Sequence, residues 1–206
     1  VIAVLSSPAI SAPSGTGINH TESTTCRKAI DTTERNMRLP VGIMQAISLA
    51  ESGRWDKSSR SRFAWPWTVT AHGKGRFYRS KAAAIAAVRR LKADGVRNID
   101  VGCMQVNLKY HPKAFATLDQ AFDPVANAHY AASLFAKLRA STRSITRAVA
   151  HYHSKTRRYN RPYTKKVVKL WNEERRRFYA SERARKLAAW RLEKERRKAA
   201  KMAAAR

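Results

Sequence analysis

Apolar residues recur at helical spacing along most of this chain, and glycine, proline and small polar residues punctuate them. From Cys26 the pattern becomes helical. Pro40 stands where a first helical turn tolerates proline. Val41, Ile43, Met44, Ile47 and Leu49 follow, with Ala46 and Ala50 between them and Gly53 as a stop. That segment is apolar nearly all round, which predicts a buried helix. Residues 54–79 show no regular period and carry the aromatic run Phe63-Ala64-Trp65-Pro66-Trp67-Thr68. Ser80 is a capping residue for an alanine-rich helix over 81–94 that Gly95 stops. Residues 96–112 read as a loop or a short extended segment. Asp123-Pro124 is a helix start, and Val125, Ala128, Ala132, Phe135 and Leu138 form a stripe on that helix. A further helix is expected from near Ser144 to His151, then a basic loop over 154–163. A long pattern rich in Arg, Lys, Glu and Ala fills 164–200.

These elements predict a mostly α fold, with one globular domain over 26–173 and a projecting basic helical tail over 174–206. A length of 206 residues suits one domain and a tail, and 44% hydrophobic residues suffice for a core and exclude general disorder. No apolar run reaches the roughly 18–20 residues of a membrane-spanning helix, so the mature chain is expected to be soluble. Val1 to Ala12 is apolar and then rich in small residues. It reads as the end of a signal-peptide core, with Ser7 and Ala9 at the cleavage site. Residues 13–25 are polar and turn-prone and read as a linker, so 1–25 is a signal remnant plus linker. The expected location is therefore periplasmic or secreted.

Charge changes the picture of partners. There are 42 Lys and Arg against 14 Asp and Glu, a net +28, of which 174–206 supplies only +9. Basicity thus runs through the domain as well as the tail. Such a field attracts polyanions: nucleic acid, a cell wall bearing peptide carboxylates, or an anionic membrane surface. The two cysteines, Cys26 and Cys103, read in an exported protein as a disulfide rather than a metal site, which wants four ligands. Two buried free thiols are the other reading.

The most informative residue is Glu51, a lone carboxylate at the C-terminal end of the buried helix. Desolvation and the partial negative charge of the helix end both raise its pKa. A carboxyl kept protonated near neutral pH is what a general acid needs to protonate a glycosidic oxygen. The plainer reading is an ordinary exposed Glu at a helix end. Asp100 is the other acid near the motif segments, and no clear second catalytic carboxylate accompanies it. The histidine pair His151 and His153 lies two apart, which on a helix does not put both on one face as an i, i+4 ligand pair would be. No metal and no cofactor are therefore expected. No phosphate-binding glycine loop and no Ser/His/Asp arrangement is recognisable.

Three segments occur in order: Glu51-Ser52-Gly53, then Gly102-Cys103-Met104-Gln105-Val106-Asn107, then Ala150-His151-Tyr152-His153-Ser154. They resemble the E-S-G, G-L-M-Q-I and A-Y-N signatures of the soluble lytic transglycosylase family, whose fold is like goose-type lysozyme. Asp123-Pro-x-x-Asn127 with Tyr130 and Leu134, and Tyr163 through Val168, resemble two further family segments, so the likeness spans roughly 26–172. The chain departs from the common pattern at Cys103, where Leu is usual, and at His151 and His153, where Ala and Asn are common. A subgroup of exported members with W-P-W-T, D-V-G-C-M-Q-V-N and Y-H-S segments is more similar still, and favours a Cys26–Cys103 disulfide.

The resemblance implies a peptidoglycan lytic transglycosylase with Glu51 as sole acid/base. The substrate's N-acetyl group attacks its own anomeric carbon, and a 1,6-anhydro ring closes on the muramic sugar. It further implies that Tyr152 hydrogen-bonds to Glu51 or the sugar, while Gln105 and Asn107 bond to glycan groups and Met104 packs in the cleft. His153 and Ser52 complete the substrate-binding set, His153 with a less defined role and Ser52 with support of the turn below Glu51 as the favoured reading. Trp65 and Trp67 offer faces for sugar rings, with core packing beside Pro66 as the other reading. The expected partner is the peptidoglycan glycan strand, with no specific nucleic acid, no transmembrane segment and a monomeric state. The alternatives are a hydrolytic muramidase on the same fold, a basic nucleic-acid-binding protein, and a wall-binding module without catalysis.

Overall fold

The computed structural model describes residues 20–57 and 59–205. Helix α1 (His20–Asn36) leads through a short turn into α2 (Ile43–Glu51), the apolar segment with Glu51 as its last residue. Seven consecutive residues of α2, Ile43 to Leu49, are buried, as an all-round apolar helix requires. Strands β1 (Gly53–Asp56) and β2 (Ser61–Ala64) form a hairpin in which Gly53 pairs with Ala64. Strands β3 (Thr68–Ala71) and β4 (Lys74–Phe77) form a second one, followed by α3 (Lys81–Ala93). Then come β5 (Ile99–Val101), β6 (Val106–Asn107) and α4 (Leu118–Ala121), before α5 (Pro124–Thr142), α6 (Ile145–His153) and α7 (Arg157–Ala204).

The larger sheet has the order β4-β3-β5-β6, all antiparallel. One core holds the inner faces of α1, α2, α5, α6 and early α7, including Ile30, Ile47, Phe135 and Val167. A second, smaller core lies under the sheet, where Val69, Ile99 and Val101 meet α3 and Phe122. The molecule is mostly α, one globular domain with a long C-terminal helix. Among the described residues no helix is long and apolar enough to cross a membrane.

The cysteines form a Cys26–Cys103 disulfide, both ends fully buried, which ties α1 to the turn between β5 and β6. Caps fall where the sequence puts them. The Ser80, Asp123 and Ser144 side chains accept from Ala83, Ala126 and Arg147 backbone N–H groups.

Four differences from the sequence reading have physical causes. The stretch read as irregular over 54–79 contains four short strands. These four-residue strands mix buried and exposed positions with no clean alternation, so period-2 patterning is invisible there. Helix α1 begins at His20, inside the stretch read as linker, because its first turns precede the buried face at Cys26, Ala29 and Ile30 and carry no apolar signal. The segment read as a basic loop over 154–163 is helical from Arg157. Pro162 lies early in that helix, where it removes one backbone donor without ending the element. On α5, Val125 is exposed and the buried face is Asn127, Ala128, Ala131, Ala132 and Phe135. The signal-peptide reading of Val1 to Ala12 and the residues to 19 lie outside the described residues.

Candidate active site

Glu51 lies in a groove of ≈ 390 Å³, lined also by Thr70, Asp100, Gln105, Asn107, Tyr152 and His153. Its position follows from local sequence. Helix α2 ends at Glu51 and the chain turns sharply at Ser52-Gly53. A Cβ at Gly53 would strike the Leu49 carbonyl, so this turn admits only glycine. The buried Ser52 hydroxyl donates to the Cys103 carbonyl at 2.6 Å, which joins the E-S-G turn to the G-C-M-Q turn.

The second turn is held from behind. Gly102 has φ +82°, and a Cβ there would collide with Asn127. Asn127 is fully buried on α5. Its Oδ1 accepts from the Met104 backbone N–H at 2.9 Å, and its Nδ2 donates to the Val101 and Ala121 carbonyls. The Tyr152 hydroxyl donates to the Met104 carbonyl at 3.0 Å. Segments more than a hundred residues apart in sequence thus converge on one wall.

The partner of Glu51 is Tyr163, whose hydroxyl donates to Glu51 Oε1 at 2.6 Å. Burial pushes the Glu51 carboxyl up to about 7; the Tyr163 hydrogen bond and the Lys166 ammonium pull it down, and the Asp100 charge adds to the rise. Lys166 itself donates to the Ala50 carbonyl at 2.7 Å, one residue before Glu51. The imidazole of His153 stacks on the Tyr163 ring, centroids 4.3 Å apart and planes 9° off parallel. Burial and the nearby Lys166 charge hold His153 below its usual pKa, favouring the neutral ring. Burial first, then the charge of Glu51, pushes both tyrosines well above their usual pKa, and Asp100 adds to this for Tyr152, so they act as neutral donors.

Asp100 is the second carboxyl of the groove. Burial raises its pKa against a hydrogen bond from Asn107 Nδ2 at 2.8 Å. His111 on the groove wall meets the Tyr130 hydroxyl through Nδ1 at 2.9 Å. A larger hollow of ≈ 1220 Å³ lies between α1 and α5, but Glu51 and Asp100 are not among its walls.

The expected site residues divide. Glu51, Gln105, Asn107, Tyr152 and His153 share the groove. Tyr152 bonds to the Met104 carbonyl rather than to Glu51, because Tyr163 of α7 occupies the carboxyl's near side. Gln105 commits both amide hydrogens to the Thr68 and Gly102 carbonyls and accepts from Thr70 Oγ1. Asn107 donates to Asn98 and Asp100 and accepts from Lys109 and Tyr110 backbone N–H groups. Both amides therefore shape the wall instead of offering donors to a ligand.

Three other expectations are corrected. Met104 is completely buried in the main core and is not part of the groove. Trp65 is buried, with its indole N–H donated to the Tyr78 carbonyl and Arg54 over its ring, so the core-packing reading holds for it. Trp67 packs partly buried against the smaller core. The exposed tryptophan of this region is Trp55 on β1. Ser52, placed in the substrate-binding set, is buried with its hydroxyl on the Cys103 carbonyl and is not among the groove-lining residues, so it supports the turn.

Sequence reasoning missed Tyr163 as the Glu51 partner, and noted Asp100 as an acid near the motif segments without placing it on the groove wall. The segment Tyr163 through Val168 carried the signal for Tyr163, for it ends the motif series and its tyrosine is the buried one. Among the described residues no group of three or more His, Cys, Asp or Glu side chains is placed to hold a metal. No family profile, curated protein or solved structure matches this chain.

Proposed function

We propose that this protein is a peptidoglycan lytic transglycosylase that cleaves the β-1,4 bond after the muramic sugar, with Glu51 as its single acid/base. The observation that carries the reading is a carboxyl at a helix end, held by Tyr163 on a groove wall built from the motif segments, where burial pushes it up to about 7. A group poised near pH 7 is able both to give and to take a proton. Protonated Glu51 delivers its proton to the glycosidic oxygen as that C–O bond breaks. The substrate's own N-acetyl oxygen then bonds the anomeric carbon. Ionised Glu51 removes the proton from the sugar's 6-hydroxyl, whose oxygen displaces the N-acetyl oxygen and closes the 1,6-anhydro ring. Tyr163 holds the carboxylate between the two steps. The lysozyme-like fold, export to the envelope and the wall as partner belong to the same proposal. The disulfide fits an oxidising compartment.

A second reading has one specific support. Asp100 is a second carboxyl in the groove, and a hydrolase uses such a group to direct water. Product masses separate the two: anhydro ends are lighter by one water than reducing ends. Glu51→Gln is expected to lower glycan cleavage by roughly 10³-fold. The fold is expected to survive. A carboxyl whose pKa is raised in the native state costs stability from the ordinary carboxyl range upward, in full above about pH 7, so the glutamine variant melts no lower than wild type at pH 8. Unchanged cleavage in Glu51→Gln would sink the enzymatic reading.

A further inference from the structure

Helix α2 has nine residues, about 13 Å of length, too short to hold its shape unaided. Its N-cap is Gly42 in left-handed backbone, and no side chain of the cap residue satisfies the first-turn donors. The Ile43 N–H is met by the Pro40 carbonyl, and two other donors at this end are met from another helix. Glu34, near the end of α1, accepts from the Gly42 N–H and, at 2.9 Å, from the Met44 N–H. Glu34 is buried, so its carboxyl has given up water for these two backbone groups. The opposite end of the same short helix is Glu51.

We propose that Glu34 is a positioning residue: its carboxyl caps the helix that ends in Glu51 and thereby sets how deeply Glu51 sits beneath the groove and against Tyr163. This rests on the proposed role of Glu51 for its consequence in catalysis, but not for its structural content. The surroundings are built to hold the cap in place. Asp31, one turn earlier on α1, accepts from Gln45 Nε2 of α2, which also donates to the Arg27 carbonyl. Arg27 makes a two-pronged contact with Glu174 of α7, and Arg177 reaches the same carboxylate. The end of α2 is thereby pinned to α1, and α1 to α7, at one point. The Trp171 indole N–H, donated to the Val41 carbonyl, adds a further tie between α2 and α7.

The same groups decide how Glu34 responds to pH. Burial pushes its carboxyl up to about 7, the two backbone N–H groups oppose this, and the charges of Asp31 and Glu174 add to it. Arg27 and Arg177 face Glu174 and offset its charge. Above about pH 7 both Glu34 oxygens accept; below it, one carries a proton and no longer suits a donor. The cap is therefore firmest on the alkaline side.

Two measurements test this, one of them independent of activity. Carbon-detected NMR follows the Glu51 carboxyl through a pH titration, its signal assigned by its loss in Glu51→Gln. In Glu34→Gln the amide opposes one of the two N–H groups, α2 loosens, and the Glu51 midpoint falls from near 7 towards the ordinary carboxyl range. Glycan turnover is measured alongside, well below each variant's melting temperature. The expected result is a kcat lowered about tenfold with KM within twofold, and partial recovery in Glu34→Asp. A Glu51 midpoint that stays put while the melting temperature drops overturns the proposal, since Glu34 then only stabilises. Should Glu34→Gln fail to fold, Glu34→Asp carries the titration, with a smaller fall expected and an unmoved midpoint again decisive. If wild type and Glu51→Gln are equally inactive on glycan, the enzymatic reading fails while the titration still judges Glu34.

Discussion

Helix α7 is one continuous element with two unlike halves. From Arg157 to Glu174 it buries Tyr163, Val167 and Glu174 against α2 and α6. From Arg175 to Ala205 every residue is exposed except the half-buried Glu182. Composition changes little at the boundary, for arginine and lysine fill both halves. What changes is the spacing of the large buried groups: Tyr163, Val167 and Glu174 follow helical periodicity onto one face, and no such series continues. A helix of this kind is held by its packed half. The distal half, about 45 Å long, depends on alanine-rich helix propensity and on local pairs such as Arg185–Glu182 and Arg197–Glu193.

The same ion-pair chemistry should therefore have different value in the two halves. Glu174 is 4% exposed and Arg27, its partner, 40%. Glu174→Ala leaves Arg27 without its buried partner and unties α7 from α1. It is expected to cost about 2–3 kcal/mol, at the low end for a broken buried pair because Arg27 regains some water. Glu193→Ala removes an exposed pair and should stay within about 0.5 kcal/mol of wild type. Denaturant unfolding of the two variants measures both. Similar losses would break the comparison.

A smaller effect is expected from the tyrosines, and it falls on chemistry rather than fold. Tyr163→Phe removes the bond that favours ionised Glu51, so the Glu51 midpoint rises above about 7. The sign matters: its proton is then held more firmly, and the alkaline limb of any pH–rate profile moves to higher pH. The stability cost of the lost hydrogen bond is about 1 kcal/mol. Tyr179→Phe, in the exposed half, should move neither quantity. A fall in the midpoint of Tyr163→Phe would show that solvent entry outweighs the lost bond.

How much of this was legible beforehand depended on whether periodicity or a local signal marked the element. The buried α2 and the capped starts at Ser80, Asp123 and Ser144 were plain, because apolar density and capping chemistry act within a few residues. The hairpins between 53 and 77 were not, since their pairing is a non-local property of short strands. At the site, Glu51 was legible from its place at the end of an apolar helix together with the series of motif segments, since the helix end alone also fits an ordinary exposed Glu. Its partner was not. Tyr152 lies within the last of the three motifs and Tyr163 beyond it, and only the packing of α7 on α2 decides which hydroxyl reaches the carboxyl. Trp65 erred the other way: an aromatic beside proline suits a sugar face or a core equally, and the Tyr78 carbonyl that accepts its indole N–H lies thirteen residues on.

The smallest expected change in stability comes from removing residues 184–206, and it tests the exposed half most directly. Nine basic and two acidic residues leave with them, taking the net charge from +28 to +21. None of the described residues removed is buried, so the melting temperature should hold within about 1 °C. Adsorption to isolated cell walls should weaken at low ionic strength and converge with wild type as salt screens exposed charge beyond about 8–10 Å. A melting temperature lower by several degrees would mean that the distal half supports the domain, against the exposure of its residues. Unchanged adsorption would instead assign wall attraction to the domain, where most of the excess charge already resides and where Arg54, Arg62 and Lys166 lie close to Glu51 in the chain or in space.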